Sequence, residues 1–225
     1  MPLSELAEPS RDSESAYAVL ASHGFFLPDQ IPKLLQQAKD ENLMNLEKIL
    51  FTVSDAMDHI DDDGNYPIHR ACQLNDPSLL QHCLNAGAEV NQPDVGAADN
   101  YGQTALHRAC CKDKNEVVTL LLEKGAKPEV PDNSGATAVH NAAQCHGTFN
   151  LKKLLRAGAP VSPKDKLGST PLLRAALFGS SKNIELLIEN GADVNASNTA
   201  GSTALHLAAG LNHTAAVIFL LSVGA

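Results

Sequence analysis

The segment Thr137-Ala138-Val139-His140-Asn141-Ala142 decides the fold, because the chain writes it again as Thr104-Ala105-Leu106-His107-Arg108-Ala109 and as Thr203-Ala204-Leu205-His206-Leu207-Ala208. Working outward from it, a glycine stands two residues before each threonine and extends into a column, Gly64, Gly102, Gly135, Gly168 and Gly201, spaced 38, 33, 33 and 33. Gly-Ala pairs beginning at Gly87, Gly125, Gly158, Gly191 and Gly224 repeat the same series of spacings. Two independent columns with one period mean that a single supersecondary unit is stacked along the chain.

Each unit reads alike. Thr104, Thr137, Thr170 and Thr203 sit where a hydroxyl caps a helix, and Pro171 follows one of them as a first-turn residue. The helix that starts there carries Ala71, Ala109, Ala142, Ala175 and Ala208 in one column, then Cys72, Cys110, Ala143, Ala176 and Ala209. Residues this small allow close helix contact. Asn75, Asp113, His146, Gly179 and Asn212 end it, residue types that tolerate a left-handed backbone. A second helix follows, as at Asn115 to Lys124, with Val117, Val118, Leu120, Leu121 and Leu122 as its apolar face and Gly125 as its C-terminal stop. A short extended return such as Val194-Asn195-Ala196 completes the unit.

These residues resemble the ankyrin-repeat signature. The resemblance implies an all-α solenoid of stacked helix-turn-helix units with β-hairpin-like finger loops. It covers repeats at 61–98, 99–131, 132–164, 165–197 and an incomplete 198–225. A degenerate capping repeat is expected at 31–60, since Ala38 lies 33 residues before Ala71, and a tail with one extra helix at Tyr17 to Phe26 is expected within 1–30. Departures from the pattern are Tyr66 in place of the capping threonine, Leu173 in place of the histidine, and five added residues, Asp94 to Ala98, that should lengthen one finger and leave the stacking intact.

Composition narrows the function. The 225 residues carry 17 Lys and Arg against 26 Asp and Glu, a net charge of −9, which argues against a general phosphate-backbone binder. The acidity sits at one end: residues 1 to 98 hold 16 acids and five bases, whereas residues 99 to 225 hold 10 acids and 12 bases. With no Trp, three Tyr and six Phe, packing falls to small and aliphatic side chains in thin layers. Glu5, Glu8, Arg11, Asp12 and Glu14 leave no room for a secretory leader, and the longest late apolar run, Ala215 to Leu221, is too short for a bilayer. Five cysteines, two of them adjacent at Cys110 and Cys111, do not form a disulfide framework. A cytoplasmic protein is expected, in the host cytosol if it is a secreted effector.

The histidines and cysteines invite a catalytic or metal reading. His69, His107, His140 and His206 share one repeat column, which favours a structural role, and the resemblance implies hydrogen bonding between neighbouring backbones. Cys72, Cys83 and Cys110 take core columns, leaving Cys111 and Cys145 as candidate reactive thiols or zinc ligands without Cys-x-x-Cys spacing. The glycines form no phosphate loop, and the Asp61-Asp62-Asp63 run lacks a calcium-loop pattern. No catalytic residue, metal site or cofactor is expected.

Function should lie in positions that the repeat leaves free. The resemblance implies a partner surface made of the finger tips and the exposed side of the first helices. Carried over residue by residue, it comprises Asn100, Tyr101, Gln103 and Lys112, then Ser134 and Gln144, then Lys166, Leu167, Leu177 and Phe178, and finally Leu211. Leu167, Leu177, Phe178 and Leu211 form either an exposed apolar patch that marks an interaction site or side chains tucked beneath the next finger.

From Val194 to Ala225 there is no charged residue, although a terminal repeat ordinarily needs a polar outer face. Further repeats or another domain are expected to cover that end. The expected function is a non-catalytic module that binds another protein. The alternative is the targeting portion of a larger multidomain enzyme or of a secreted bacterial effector. A third reading, an inhibitor that masks a basic patch on a transcription factor, draws on the acidic end.

Overall fold

The computed structural model describes residues 65–85, 87–94, 101–110 and 115–225. The expected tail at 1–30, the capping repeat at 31–60, the aspartate run, Cys111 and most of the finger insertion lie outside the described residues. The chain divides into two units, Met1–Asn100 and Tyr101–Ala225.

In the first unit, α1 (Pro67–Leu74) and α2 (Pro77–Asn85) form an antiparallel pair. Asn75 reverses the chain in the left-handed region at φ 56°. Asp76 Oδ1 then accepts from Leu79 N–H at 2.9 Å, which satisfies one of the free amides that open α2. Ile68, Ala71, Cys72, Leu79, Leu80 and Cys83 fill the space between the helices.

The second unit contains α3 (Ala105–Cys110), α4 (Asn115–Glu123), α5 (Ala138–Gln144), α6 (Phe149–Arg156), α7 (Pro171–Leu177), α8 (Ser181–Glu189), α9 (Ala204–Gly210) and α10 (Thr214–Ser222). Odd-numbered helices pack in series, α3 on α5, α5 on α7 and α7 on α9, and form an inner layer. The outer layer repeats the order, α4 on α6 and α8 on α10. Inner helices approach closely because Ala109, Ala142, Ala143, Ala175, Ala176 and Ala208 are all buried. The outer helices supply the bulk, with Val117, Leu121, Leu151, Leu154, Ile184 and Leu187 completely enclosed; each large side chain contributes about 1.5–3 kcal/mol through removal from water. Among the described residues no strand forms, and an isolated bridge joins Ser197 to Thr203. The architecture is an all-α repeat solenoid.

One turn departs from the expectation. Gly179 and Asn212 reverse the chain at φ 67° and 59°, but His146 is not left-handed. Instead α5 stops at Gln144, and Cys145 continues in extended conformation at φ −74°, ψ 157°. The carbonyls left open there are closed from the next helix pair: Asn183 Nδ2 donates to Ala142 O and Ala143 O at 3.2 Å, Cys145 O at 2.5 Å and Gly147 O at 3.3 Å. A side chain 36 to 41 residues further along the chain therefore does the work that a left-handed residue does elsewhere.

Candidate binding face

Three fingers are built by one device. Asp132 Oδ1 accepts from Ser134 N–H at 2.8 Å and Ala136 N–H at 2.9 Å. Asp165 Oδ1 accepts from Leu167 N–H at 2.9 Å and Ser169 N–H at 2.8 Å, and Asn198 Oδ1 from Ala200 N–H and Ser202 N–H at 3.0 Å. Each carboxylate or amide thus folds the next four residues back on themselves. The tips are then linked: Asn133 N–H donates to Tyr101 O at 2.7 Å, Lys166 N–H to Ser134 O at 2.9 Å and Thr199 N–H to Leu167 O at 2.9 Å. The tips form a continuous backbone edge that fixes the side chains between them.

The histidine column ties finger to helix. Thr104 N–H donates to His107 Nδ1 at 3.1 Å and Thr137 N–H to His140 Nδ1 at 3.0 Å. The ring proton must then sit on Nε2, which donates to Ala136 O at 3.1 Å from His107 and to Ser169 O at 3.0 Å from His140. Each acceptor belongs to the following finger, so the imidazoles bridge neighbouring repeats. In the first unit His69 Nε2 instead reaches Gln92 O at 3.0 Å. Where Leu173 replaces histidine, Leu173 N–H donates to the Thr170 hydroxyl at 3.4 Å and the column loses its cross-link.

Burial holds His140 below the usual imidazole range, with nearby Arg174 adding to the effect against the bond to Ser169 O and the charges of Asp165 and Asp132. Below about pH 6.5 the unfolded chain therefore binds a proton that the folded chain refuses, and stability falls as the pH is lowered. Thermal unfolding from pH 7 to pH 5.5 should show this loss. His140→Leu should cost about 1 kcal/mol at pH 7 and make the fall shallower; an unchanged slope would refute the assignment.

Cys72, Cys83 and Cys110 are core residues. Burial raises the Cys72 thiol far above its ordinary range and pushes Cys83 up to about 12, so neither ionises near neutrality. Half-buried Cys145 donates its thiol to Cys110 O at 3.2 Å. Among the described residues no three His, Cys, Asp or Glu side chains gather as a metal site, and no helix is long and apolar enough to cross a membrane.

The candidate partner residues fall in two rows. Finger positions include Tyr101, Ser134, Lys166 and Leu167, all exposed, with Gln103 half-buried behind them. The ends of the inner helices supply Gln144, Leu177, Phe178 and Leu211. In the first unit Gln73 Nε2 donates to Asn65 Oδ1 at 3.2 Å, which puts an inner-helix end against a finger base at the equivalents of Leu177 and Ser169. Leu167 is 68% exposed, Phe178 48% and Leu211 50%, with Leu177 at 40%, so these side chains stand in solvent rather than beneath the next finger. Leu177 O accepts from His213 Nε2 at 3.0 Å, which anchors the turn that carries Phe178. Asn100 and Lys112 lie outside the described residues. Sequence reasoning missed the buried amides: Asn183, and Asn141, whose Nδ2 donates to His107 O at 3.2 Å.

The family model for ankyrin repeats (3 copies) matches residues 34–132 and 139–225. The chain belongs to the ankyrin-repeat family. Similar proteins include ADP-ribosylation factor GTPase-activating protein AGD2 of Arabidopsis thaliana, 36% identical over 63 residues, which is 28% of this chain and 8% of that protein. The B-cell lymphoma 3 protein homolog of Mus musculus is 36% identical over 84 residues, 37% of this chain and 18% of that protein. The human neurogenic locus notch homolog protein 4 is 41% identical over 59 residues, 26% of this chain and 3% of that protein. The chain thus spans less than a fifth of each of these relatives.

Proposed function

We propose that the chain is a non-catalytic module that binds another protein through its finger tips and inner-helix ends, acting in the cytoplasm. Ankyrin repeats are general protein-interaction modules, and one observation supports placing the interaction here: the side chains of Leu167, Leu177, Phe178 and Leu211 are exposed, while the finger bonds and the His213 bond engage only the backbone of Leu167 and Leu177. A surface held by linked fingers needs little backbone ordering on binding, so its apolar contacts are retained as affinity. Residues 99 to 225 carry a net charge of only +2, from 12 bases against 10 acids, which supports a protein partner over nucleic acid.

Affinity capture from lysate followed by mass spectrometry would supply the partner. Phe178→Ala and Tyr101→Ala should then each weaken binding about tenfold in a titration, with the thermal midpoint unchanged. If both variants bind like the parent, the surface is elsewhere.

A second reading draws support from the lengths of the relatives. In the Arabidopsis GTPase-activating protein the matching segment is 8% of the protein, so the repeats there accompany other domains. On this reading the repeats deliver a larger multidomain protein to its target. The same surface would be used, and the two readings separate on whether the natural protein carries a catalytic domain.

A further inference from the structure

Charge on the second unit is segregated by layer. Its exposed acids lie on the outer helices and the loops that follow them: Glu116 and Glu123 on α4, Glu129, Glu185 and Glu189 on α8, and Asp193. Asp132 and Asp165 belong to the fingers but are buried, the Oδ1 of each taken up by backbone amides. Arg174 is neutralised by Asp165 Oδ2 at 3.2 Å. The finger tips at 133–134, 166–167 and 199–200, and the inner-helix ends at 144, 177–178 and 210–211, include one charged residue, Lys166, and no acid. Among the described residues no carboxylate pairs with the Lys166 ammonium. Leu167, its neighbour on the same tip, is the most exposed large apolar side chain of the unit, and the turn of Leu177 and Phe178 ends the helix that this finger leads into.

A finger tip that presents an exposed cation, Lys166, beside an exposed leucine, Leu167, specifies a partner by two demands. The partner must bring apolar side chains to fill the space around Phe178 and Leu211, and it must bring a negative charge to the Lys166 side of that contact. A basic segment would meet repulsion there, with no acid among the described tip and helix-end residues to offset it. We propose that this face, if it is the binding surface inferred above, takes an amphipathic segment of another protein with leucine-type side chains on one side and carboxylates along the edge that meets Lys166.

The test uses two synthetic helical peptides of roughly 18 residues, long enough to hold a helix. They share one leucine face, and the flanking positions are all glutamate in one and all lysine in the other. Titrated into the full chain at roughly 50 mM salt, the glutamate peptide should bind about fivefold more tightly than the lysine peptide, and the preference should shrink as salt is raised. Lys166→Glu should reverse the order of the two peptides. Phe178→Ala should weaken both about tenfold, with the circular dichroism spectrum unchanged.

Equal affinities, an order that Lys166→Glu leaves unchanged, or no binding of either peptide would overturn the charge assignment. In that event a weakening by Phe178→Ala of the captured natural partner would keep the surface reading intact. Peptide binding that is indifferent to Phe178→Ala would overturn both.

Discussion

Asn183→Ala should lower the stability of the second unit by about 3 kcal/mol, a fall in thermal midpoint of roughly 10 °C. The amide group is completely buried, and its two N–H protons are shared among the carbonyls of Ala142, Ala143, Cys145 and Gly147. After α1, α7 and α9 a left-handed residue, Asn75, Gly179 or Asn212, turns the chain and its own backbone closes the end, as Asn212 N–H does by donating to Ala209 O at 3.1 Å. At Cys145 the chain runs extended instead, so removing the amide leaves several buried acceptors without a donor and adds a small void. Asn183→Val separates the two effects, because valine already stands at the equivalent Val117 and refills most of the volume. It should recover less than half of the loss. A shift below about 2 °C for the alanine variant would show that the turn closes without Asn183.

Gly135→Ala should cost about 2–3 kcal/mol, and it should do so by disrupting two fingers at once. Gly135 has φ 82°, a conformation that disfavours any side chain, and a β-carbon there would stand 3.0 Å from Lys166 N in the next finger. That nitrogen donates to Ser134 O, so relieving the clash lengthens the bond that joins the tips. Gly158 provides the control, since it has the similar φ of 86° but open space where the β-carbon would go. Gly158→Ala should cost about 1 kcal/mol. Equal losses for the two variants in chemical denaturation would mean that the tip-to-tip bonds contribute nothing.

The repeat itself was legible in the sequence because the period is written in glycines and threonines whose roles are local. A left-handed stop or a helix start depends on a few adjacent residues, so Thr214 to Ser222 could be assigned as a helix and is one. The histidine column was legible for a related reason, since four copies in register exclude a unique site. Three features were not legible. Asn183 occupies a column that holds Val117, Asn150 and Ala216, so nothing in the series marks a donor. Its role arises only because the turn before α6 lacks a left-handed residue. The hydroxyls of Thr104 and Thr203 were expected to cap helices, and Thr203 does form a capping box with His206, but each also lies 2.8 Å from a histidine Nδ1, a partnership that needs the ring's position in space. Whether Leu177 and Phe178 stand free or tuck beneath a finger depends on how far the neighbouring turn reaches, and His213 there bonds to the backbone of Leu177 and leaves both side chains uncovered.

The proposed binding face is therefore a product of what stacking leaves over. Buried aspartates and bridging imidazoles consume the polar groups of the fingers, and the small columns consume the inner faces of the helices. Residues at the tips and helix ends are then held rigidly without being needed for the fold, which is where recognition can vary at little cost in stability.

The central claim, that the finger tips and inner-helix ends bind the partner, is tested most directly by amide hydrogen exchange of the chain with and without its captured partner. The expected result is added protection at 166–168, 177–179 and 210–212, with α4, α6 and α8 unchanged. Protection confined to the outer helices, with those three segments exchanging as in the free chain, would contradict it.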